Sequence, residues 1–247
     1  MTMPPANSAL ARGQGVALWR QIAGSLEAEI AAGGLAPGAR LPTEAELTAR
    51  FRVNRHTVRR AMEELENRGL VRVEQGRGSF VAEDVLDYPL GPRTRFSETI
   101  RRQNREPQGR IIRLEEMPAE SHIAELLKLR RGQPVVLAER LGLVDGRPMV
   151  LGGHYFPAAR FPGIVALLAA DASITRALGQ LGVPDYRRLV TRITARMPTP
   201  EEAALLEQAR TRPVLVTEAV NVDAAGTPVE ASIGRYAAGR TQFVVES

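Results

Sequence analysis

The 247-residue sequence contains no cysteine, and this absence excludes several kinds of chemistry. Without a thiol there is no disulfide, no thiolate zinc site and no cysteine nucleophile. The sequence also lacks any run of 18 apolar residues, and its first residues lack the basic-then-apolar pattern of a secretory signal. We therefore expect a cytoplasmic protein with no membrane partner.

The sequence motifs of common enzymes are missing as well. There is no Ser-His-Asp order, no metal-ligand spacing and no Gly-rich phosphate loop. Of the three histidines, only His154 can be paired with an acid, Glu230, for acid-base chemistry. The sequence thus predicts a protein that is not an enzyme and holds no metal or cofactor, with an enzyme using His154 and Glu230 as a remote alternative.

The basic charge is local. The net charge is +5 and the pI is near 10.3, yet residues 1–87 balance 11 arginines against 11 acids. Five arginines fall between Arg50 and Arg60 with no acid among them. A basic cluster confined to one segment is typical of a protein that binds specific nucleic-acid sites, rather than of one that covers nucleic acid without specificity.

Three short helices are predicted between residues 18 and 69. The first has apolar residues at four-residue spacing before Gly33-Gly34, namely Leu18, Ile22, Leu26 and Ile30. Thr43 and Glu46 have capping-box spacing for the second helix, which buries Leu47 and Phe51. Asn54 caps the third helix, and Gly69 ends it. The buried face of the third helix is predicted to hold Val58, Ala61, Met62 and Leu65.

The opposite face of the third helix carries donors that suit DNA: Arg55, His56, Thr57, Arg59 and Arg60. Arginine forks onto guanine, threonine and asparagine reach a base or a phosphate, and a helix N-terminus attracts phosphate. Two apolar runs, 70–73 and 79–81, follow as a hairpin whose turn includes Gly76, Arg77 and Gly78. The stretch from Leu41 to Val81 therefore predicts a winged helix-turn-helix with a wing suited to a phosphate or the minor groove.

These residues resemble the GntR family of bacterial transcriptional regulators, on the motifs Leu41-Pro42-Thr43-Glu44, residues 53–61, Gly69-Leu70 and residues 75–81. The resemblance implies a set of residues at the DNA: Arg40, Thr43, Glu44, Asn54, Arg55, His56, Thr57, Arg59, Gln75, Gly76, Arg77 and Gly78. Asn54 departs from the family, since many relatives have Ser or Thr there, and this bears on which bases are read.

The second half contains an internal repeat with offsets of 79 or 80 residues. The matching residues are Met117-Pro118 with Met197-Pro198, Pro134-Val135 with Pro213-Val214, Glu139 with Glu218, and Pro148 with Pro228. Each half predicts a helix opening at Ser97 or Ser173, a strand, a second helix and a two-strand hairpin, and residues 242–245 form a last strand. The fold class is therefore α+β, with a mainly antiparallel sheet and a pseudo-twofold axis.

Composition and pattern divide the chain into four parts. Residues 1–15 are predicted to be a flexible leader, 16–82 the winged domain, 83–93 a linker and 94–247 a ligand-sensing domain.

The groove between the two repeats is the predicted ligand site. Cationic and donor groups of both halves converge there, which suits a small anion. The predicted effector-binding residues are Arg95, Phe96, Ser97, Arg140, His154, Ser173, Arg235 and Tyr236. Alternatively, Arg95 and Arg140 are structural ion-pair partners and His154 is a packed histidine. Glu139 and Glu218 are expected to be structural, because a buried acid repels an anion.

The second half resembles the UTRA effector domain of the HutC subfamily, whose fold is related to chorismate lyase, on residues 94–97, 139–141, 145–148, Ser173 and 226–230. Residues 88–91, 93–97 and 156–163 are similar to regulators of phosphonate utilisation. Relatives that sense amino sugars carry an Arg and a Glu near Gly142 and Gly152. Glycine at both positions argues against a sugar-phosphate effector.

The sequence as a whole predicts a homodimeric repressor that binds an inverted repeat in double-stranded DNA and responds to a small anion containing phosphonate or phosphate. Three alternatives stay open. They are a HutC-type regulator of sugar phosphate or amino acid catabolism, an architectural DNA-binding protein without an effector, and a lyase-like enzyme using His154 and Glu230.

Overall fold

The computed structural model describes residues 16–74, 76–83 and 85–245, so the expected leader 1–15 lies outside the described residues. The chain forms two compact units, divided between Asp84 and Val85. In the part of the chain that the structure describes, no helix is both long and apolar enough to cross a membrane.

The first unit is the winged helix-turn-helix that the sequence predicts. It contains α1 (Leu18–Ala31), α2 (Glu44–Phe51) and α3 (Arg55–Asn67), then a hairpin of β1 (Val71–Glu74) and β2 (Gly78–Val81). The core includes the residues expected from the helical spacing, among them Ile22, Leu26, Leu47, Val58 and Leu65, which are all fully buried.

Local signals set the ends of these helices. Thr43 and Glu46 form the capping box, in which Glu46 N donates to Thr43 Oγ1 at 3.3 Å and Thr43 N donates to Glu46 Oε2 at 2.7 Å. Asn54 Oδ1 accepts from Thr57 N at 2.9 Å. Gly69 has a φ of +69°, which lets Leu70 N donate back to Leu65 O at 2.9 Å.

The second unit is built on a six-stranded antiparallel sheet in the order β4-β5-β6-β9-β8-β7. The strands are β4 (Pro107–Pro118), β5 (Pro134–Val144), β6 (Arg147–Pro157), β7 (Arg187–Arg196), β8 (Val214–Val222) and β9 (Pro228–Ala237). The helices are α4 (Phe96–Arg102), α5 (Ser121–Leu127), α6 (Ile164–Ala170), α7 (Ile174–Gln180) and α8 (Pro200–Leu205). The two repeats therefore meet at the central β6–β9 pair, which confirms the predicted pseudo-twofold arrangement.

Side chains alternate between the two faces of this sheet. On the face here named the α4 face, α4 packs over Val150 and Tyr236, while α6 and α7 pack over Phe156. On the opposite face, here named the α5 face, α5 packs over Val135 and Ala231. Odd and even positions of one strand therefore belong to different environments.

One expectation at the edge of the second unit is corrected. Residues 86–89, predicted to lie in a linker, form β3 (Leu86–Pro89), which pairs in parallel with β10 (Thr241–Val244) in a separate two-stranded sheet. The last strand thus does not extend the main sheet. The sequence gives little local sign of this pairing because only Leu86 and Tyr88 are buried in β3 and the partner strand lies far away in the chain.

Candidate nucleic-acid interface and effector pocket

The N-terminal half of α3 presents exposed polar side chains. Arg55, His56 and Arg59 are exposed. Arg55 has no carboxylate partner among the described residues. Arg59 forms an ion pair with Glu44, with 3.3 Å between Nη2 and Oε2, and both side chains are about half exposed. An ion pair in solvent is worth little, so both arginines are free to meet phosphates or bases. Asn54 and Thr43 use their side chains as helix caps.

The other arginines of the basic cluster have structural partners. Arg50 pairs with Glu29 and lies over the ring of Phe51 at 4.9 Å, and Arg60 lies over Trp19 at 4.8 Å. Arg50 and Arg60 are therefore exposed but lie against aromatic rings of the unit, whereas Arg55 and Arg59 are exposed at the start of α3.

The wing is built around two glycines. Gly76 and Gly78 have φ values of +74° and +112°, which side chains rarely tolerate. The Arg40 guanidinium lies beside Gly78, where an added Cβ would be 3.0 Å from Arg40 Nε. Arg77 pairs with Glu74 at 2.9 Å. Gln75, also expected at the DNA, lies outside the described residues, and the DNA contacts of the whole set stay predictions.

A pocket opens on the α4 face of the second unit and contains about 780 Å³ of empty space including its mouth. Seven of the eight predicted effector residues line it: Arg95, Phe96, Ser97, Arg140, His154, Ser173 and Tyr236. Segments 94–97 and 172–175 both border it, as the repeat predicted. Ser173 caps α7, since its Oγ accepts from Arg176 N at 3.4 Å. Ser97 is the second residue of α4, because the helix begins at Phe96.

Arg140 is a cation without a carboxylate partner among the described residues. Its Nε donates to Ala172 O at 2.8 Å, and its guanidinium lies 5.3 Å from the centre of the Phe96 ring. Burial lowers the pKa of Arg140 from its ordinary value. The interpretation of Arg140 as a structural ion-pair partner is therefore wrong.

Arg95, in contrast, is neutralised by its neighbours. It pairs with Glu98 at 3.2 Å and with Asp185 at 3.0 Å, and it lies over the ring of Tyr186 at 4.7 Å. Burial raises the pKa of Tyr186 to about 12, so this phenol stays protonated. Arg95 therefore lines the pocket, but its charge is already compensated by Glu98 and Asp185.

Arg235 does not face the pocket, and its prediction as an effector residue is corrected. Its guanidinium donates to Glu139 Oε1 at 2.7 Å and to Glu202 Oε1 at 3.2 Å, on the α5 face. Its neighbours in β9, Gly234 and Tyr236, line the pocket. Alternation along a strand sends the residue between them to the opposite face.

The hairpin exits His154-Tyr155 and Arg235-Tyr236 look alike in sequence, and aligning them on their tyrosines places Arg235 opposite His154. Gly146 and Gly226 differ by 80 residues in the same way as Pro148 and Pro228, so Arg235 corresponds to Tyr155. A slip of one residue moves a side chain to the other face of a sheet.

Sequence reasoning also missed residues of the pocket floor. Arg188 lies there and is paired only with Asn221 among the described residues, Nε to Oδ1 3.4 Å. Asn221 Nδ2 donates to Glu230 Oε2 at 2.5 Å, and Glu230 Oε1 lies 2.5 Å from His154 Nδ1. Alternation of side chains along β7 could have placed Arg188 on the α4 face, but no matching residue in the first repeat indicated a role for it.

An exposed, basic recognition helix in one unit and a cationic pocket in the other define a ligand-sensing DNA-binding regulator. The comparisons give the family: residues 18–81 match the model of bacterial regulatory proteins of the gntR family, and residues 102–242 match the UTRA domain. The chain belongs to the GntR family and carries a UTRA domain, as expected for a HutC-type member.

Similar proteins span nearly the whole chain. An uncharacterised HTH-type transcriptional regulator of Rhizobium meliloti is 39% identical over 96% of this chain and 97% of its own length. The probable transcriptional regulator PhnF of Escherichia coli is 32% identical over 92% of this chain and 94% of its own. The crystal structure of PhnF from Mycobacterium smegmatis matches with a TM-score of 0.63 and 27% identity, covering 92% of this chain and 98% of that one.

Proposed function

We propose that the protein is a homodimeric repressor of genes for uptake or catabolism of phosphonates or other organophosphorus compounds, and that a small anion in the pocket modulates its grip on operator DNA. The sequence motifs shared with regulators of phosphonate utilisation support the pathway, and the similarity to the two PhnF proteins supports it further. Binding to an operator places the protein in the cytoplasm.

The proposal of an anionic effector rests on two arginines of the pocket that form no ion pair with a carboxylate. Arg140 and Arg188 line the pocket without a carboxylate partner in the part of the chain that the structure describes. The nearest acids, Asp171 for Arg140 and Glu230 for Arg188, act on them through charge without forming an ion pair, so both half-buried cations are only partly compensated. A bound anion stabilises the liganded state by supplying a charge in direct contact. A phosphonate or phosphate offers three oxygens that match a guanidinium fork.

A homodimer follows from the DNA side of the proposal. One recognition helix covers few base pairs, and two wings and two helices related by a twofold axis read the halves of an inverted repeat. Effector and operator are coupled reciprocally, so an anion that weakens DNA binding by a given factor is itself bound more weakly, by the same factor, when operator is present.

The test is titration calorimetry with phosphate, methylphosphonate and sugar phosphates, with operator release followed by fluorescence anisotropy. Arg140→Ala is expected to lose about 10- to 100-fold in anion affinity while keeping operator binding. Arg102→Ala, an exposed arginine of α4 outside the pocket, is the matched control. Unchanged anion affinity and operator release in Arg140→Ala would contradict the anion site. Stronger operator release by sugar phosphates than by methylphosphonate would indicate that the protein regulates another pathway.

We further propose that the pocket senses its ligand without chemical change. The His154–Glu230 pair that an enzyme would need is present, but the family to which the chain belongs consists of regulators. Incubation with each anion followed by phosphorus NMR should recover the ligand unchanged. Turnover that depends on His154 would contradict this part of the proposal.

A further inference from the structure

The two pocket arginines that form no ion pair within the described part of the chain are anchored far apart on the sheet. Arg140 is in β5 and Arg188 is in β7, with β6, β9 and β8 between them. Neighbouring strands are about 4.8 Å apart, so the two backbone positions are separated by about 19 Å across the sheet. The row of paired residues that starts at Arg140 reaches β8 at Thr217, whereas Arg188 is paired with Asn221. That difference adds about 13 Å along the strands.

Each guanidinium group is held at its own end of the pocket. Arg140 Nε donates to Ala172 O at 2.8 Å, and a second cavity that borders the pocket is lined by both residues. Arg188 Nε donates to Asn221 Oδ1 at 3.4 Å, and neither of these residues lines the second cavity. We call the two regions the Arg140 end and the Arg188 end. A single phosphonate group cannot contact both arginines at once.

The acids near both ends are already bound by other groups. Asp171, near Arg140, forms an ion pair with Arg176. Glu230, near Arg188, has one carboxylate oxygen against a side chain of β6 and the other against a side chain of β8, each 2.5 Å away. Each pocket arginine therefore has an acid in its vicinity but no carboxylate in contact, and an anionic group of a ligand can take that place at either end.

The floor between the two ends is formed by two glycines that lie directly opposite each other, Gly152 of β6 and Gly234 of β9. An added Cβ at Gly152 would be 2.6 Å from His154 Nε2, and one at Gly234 would be 2.7 Å from Tyr236 Cε2 and 2.8 Å from Thr217 Oγ1. Neighbouring side chains thus occupy the space that side chains at these two positions would need. The middle of the pocket is therefore deep enough for the part of a ligand that joins two end groups.

Two phenols line the space between the ends. The rings of Tyr88 and Tyr236 have their centres 5.4 Å apart, and the charges of Arg140 and Arg188 both act on both hydroxyls. Burial, the largest cause, raises the pKa of both phenols above the ordinary value, so they stay protonated. These rings add no charge between the two cationic ends.

We propose that the effector carries two anionic groups, a phosphonate or phosphate bound at the Arg140 end and a carboxylate bound at the Arg188 end, joined by a short chain over the two glycines. Ser97 and Ser173 line the Arg140 end, where their hydroxyls can donate to the additional oxygens of a phosphonate. The guanidinium fork of Arg188 matches the two oxygens of a carboxylate. The inference rests on the proposed function, in which the pocket binds a small anion, and makes Arg188 the residue that selects among such anions.

The experiment is titration calorimetry of the full chain at about pH 7.5, where a carboxylate is ionised. The ligands are carboxymethyl-, 2-carboxyethyl- and 3-carboxypropylphosphonate, each compared with its carboxamide, which has the same shape without the second charge. At the chain length that spans the two ends, the carboxylate should bind about tenfold or more tighter than the carboxamide. The matching aminoalkylphosphonate, with an ammonium group instead, should bind no better than the carboxamide.

The ratio of carboxylate to carboxamide affinity is then measured in three variants. Arg188→Gln should bring it close to one, and Arg188→Lys, which keeps the charge, should retain part of it. Arg192→Gln is the matched control, because Arg192 lies in the same strand, outside the pocket, and pairs with Glu218. It removes the same charge from the protein and should leave the ratio at the wild-type value.

Four results would overturn the inference. They are equal affinity for carboxylate and carboxamide at every chain length, tighter binding of the ammonium compound, a ratio that persists in folded Arg188→Gln, and a ratio that falls equally in Arg192→Gln. Loss of both ligands by folded Arg188→Gln and Arg188→Lys would also overturn it, since both arginines would then hold one group. In all these cases binding of methylphosphonate to wild type leaves the proposed anion site intact. No binding of phosphate or of any phosphonate contradicts the anion site itself.

Discussion

The Arg235 guanidinium donates to Glu139 Oε1 at 2.7 Å on the α5 face, while the next residue, Tyr236, lines the effector pocket on the other face. Arg235 is 14% exposed and also contacts Glu202. Neighbours in sequence therefore have separate roles, one in stability and the other in the pocket.

Replacing Arg235 should affect stability rather than sensing. Arg235→Ala leaves Glu139 without its arginine, and breaking a mostly buried ion pair by removing one partner costs about 2 to 4 kcal/mol of unfolding free energy. Anion affinity should stay within about threefold, because the α4 face is unchanged. Urea unfolding and titration calorimetry measure the two effects. Arg113→Ala, which removes an exposed pair with Glu115, is the control and should change stability very little.

Glycine at position 109 makes room for Arg140. An added Cβ would lie 2.2 to 2.6 Å from the Arg140 guanidinium, so Gly109→Ala must displace that group. Because the end of a long side chain moves easily, the fold should persist, and anion affinity should fall by about tenfold through a lost charge-assisted contact. Gly179→Ala, where an added Cβ meets nothing within 4 Å, is the control. Unchanged affinity in Gly109→Ala would show that Arg140 does not need this position to bind the ligand.

Arg55 should contribute to operator recognition more than the arginines that pack on the first unit. Arg55→Ala is expected to cost about 1 to 3 kcal/mol of operator binding if it forks onto a base. Arg68→Ala removes the same charge at the other end of α3, where Arg68 pairs with Glu27, and should change affinity by no more than about twofold. Fluorescence anisotropy at fixed salt measures both variants, and equal losses would indicate only a general electrostatic contribution.

Glu202 should stabilise the second unit above acidic pH. Hydrogen bonds from Arg196, with further contributions from Thr199 N and Arg235, lower the pKa of Glu202 from its ordinary value of 4.5 to about 2. Since the folded pKa is the lower one, this stability is present above pH 4.5 and is lost as the pH falls towards 2.

The corresponding variant is Glu202→Gln, expected to cost about 1 to 2 kcal/mol near neutral pH, because Arg196 is partly in solvent. The difference from wild type should shrink as the pH falls below 4.5. Unfolding followed by circular dichroism measures it, with the exposed neighbour Glu201→Gln as the control. A difference that stays constant down to the lowest pH would contradict the assigned cause.

Local signals predicted the first unit well. The cap at Thr43, the cap at Asn54 and the terminal glycine Gly69 all act within a few residues, and each is found where the sequence placed it. The repeat likewise predicted the hairpins β5–β6 and β8–β9, because the connections are short and set by Asp145-Gly146 and residues 223–226.

Contacts between distant parts of the chain were harder to predict. The pairing of β3 with β10 joins residues about 155 positions apart, and only two apolar side chains of β3 mark it. The sequence also left open which pocket arginine has an acidic partner. Arg95 and Arg140 look alike in sequence, but among the described residues only Arg95 forms ion pairs.

The sequence by itself determined the winged helix-turn-helix, the duplicated antiparallel unit and the identity of most pocket residues, because helix caps, turns and hydrophobic spacing act over short distances. Tertiary structure alone decided which face each strand residue occupies in the assembled sheet and which charges find partners. It placed Arg235 with Glu139, left Arg140 unpaired among the described residues, and joined Arg188, Asn221, Glu230 and His154 across four strands. Electrostatic contacts depend on distances between residues far apart in the chain, and those distances exist only in the folded protein.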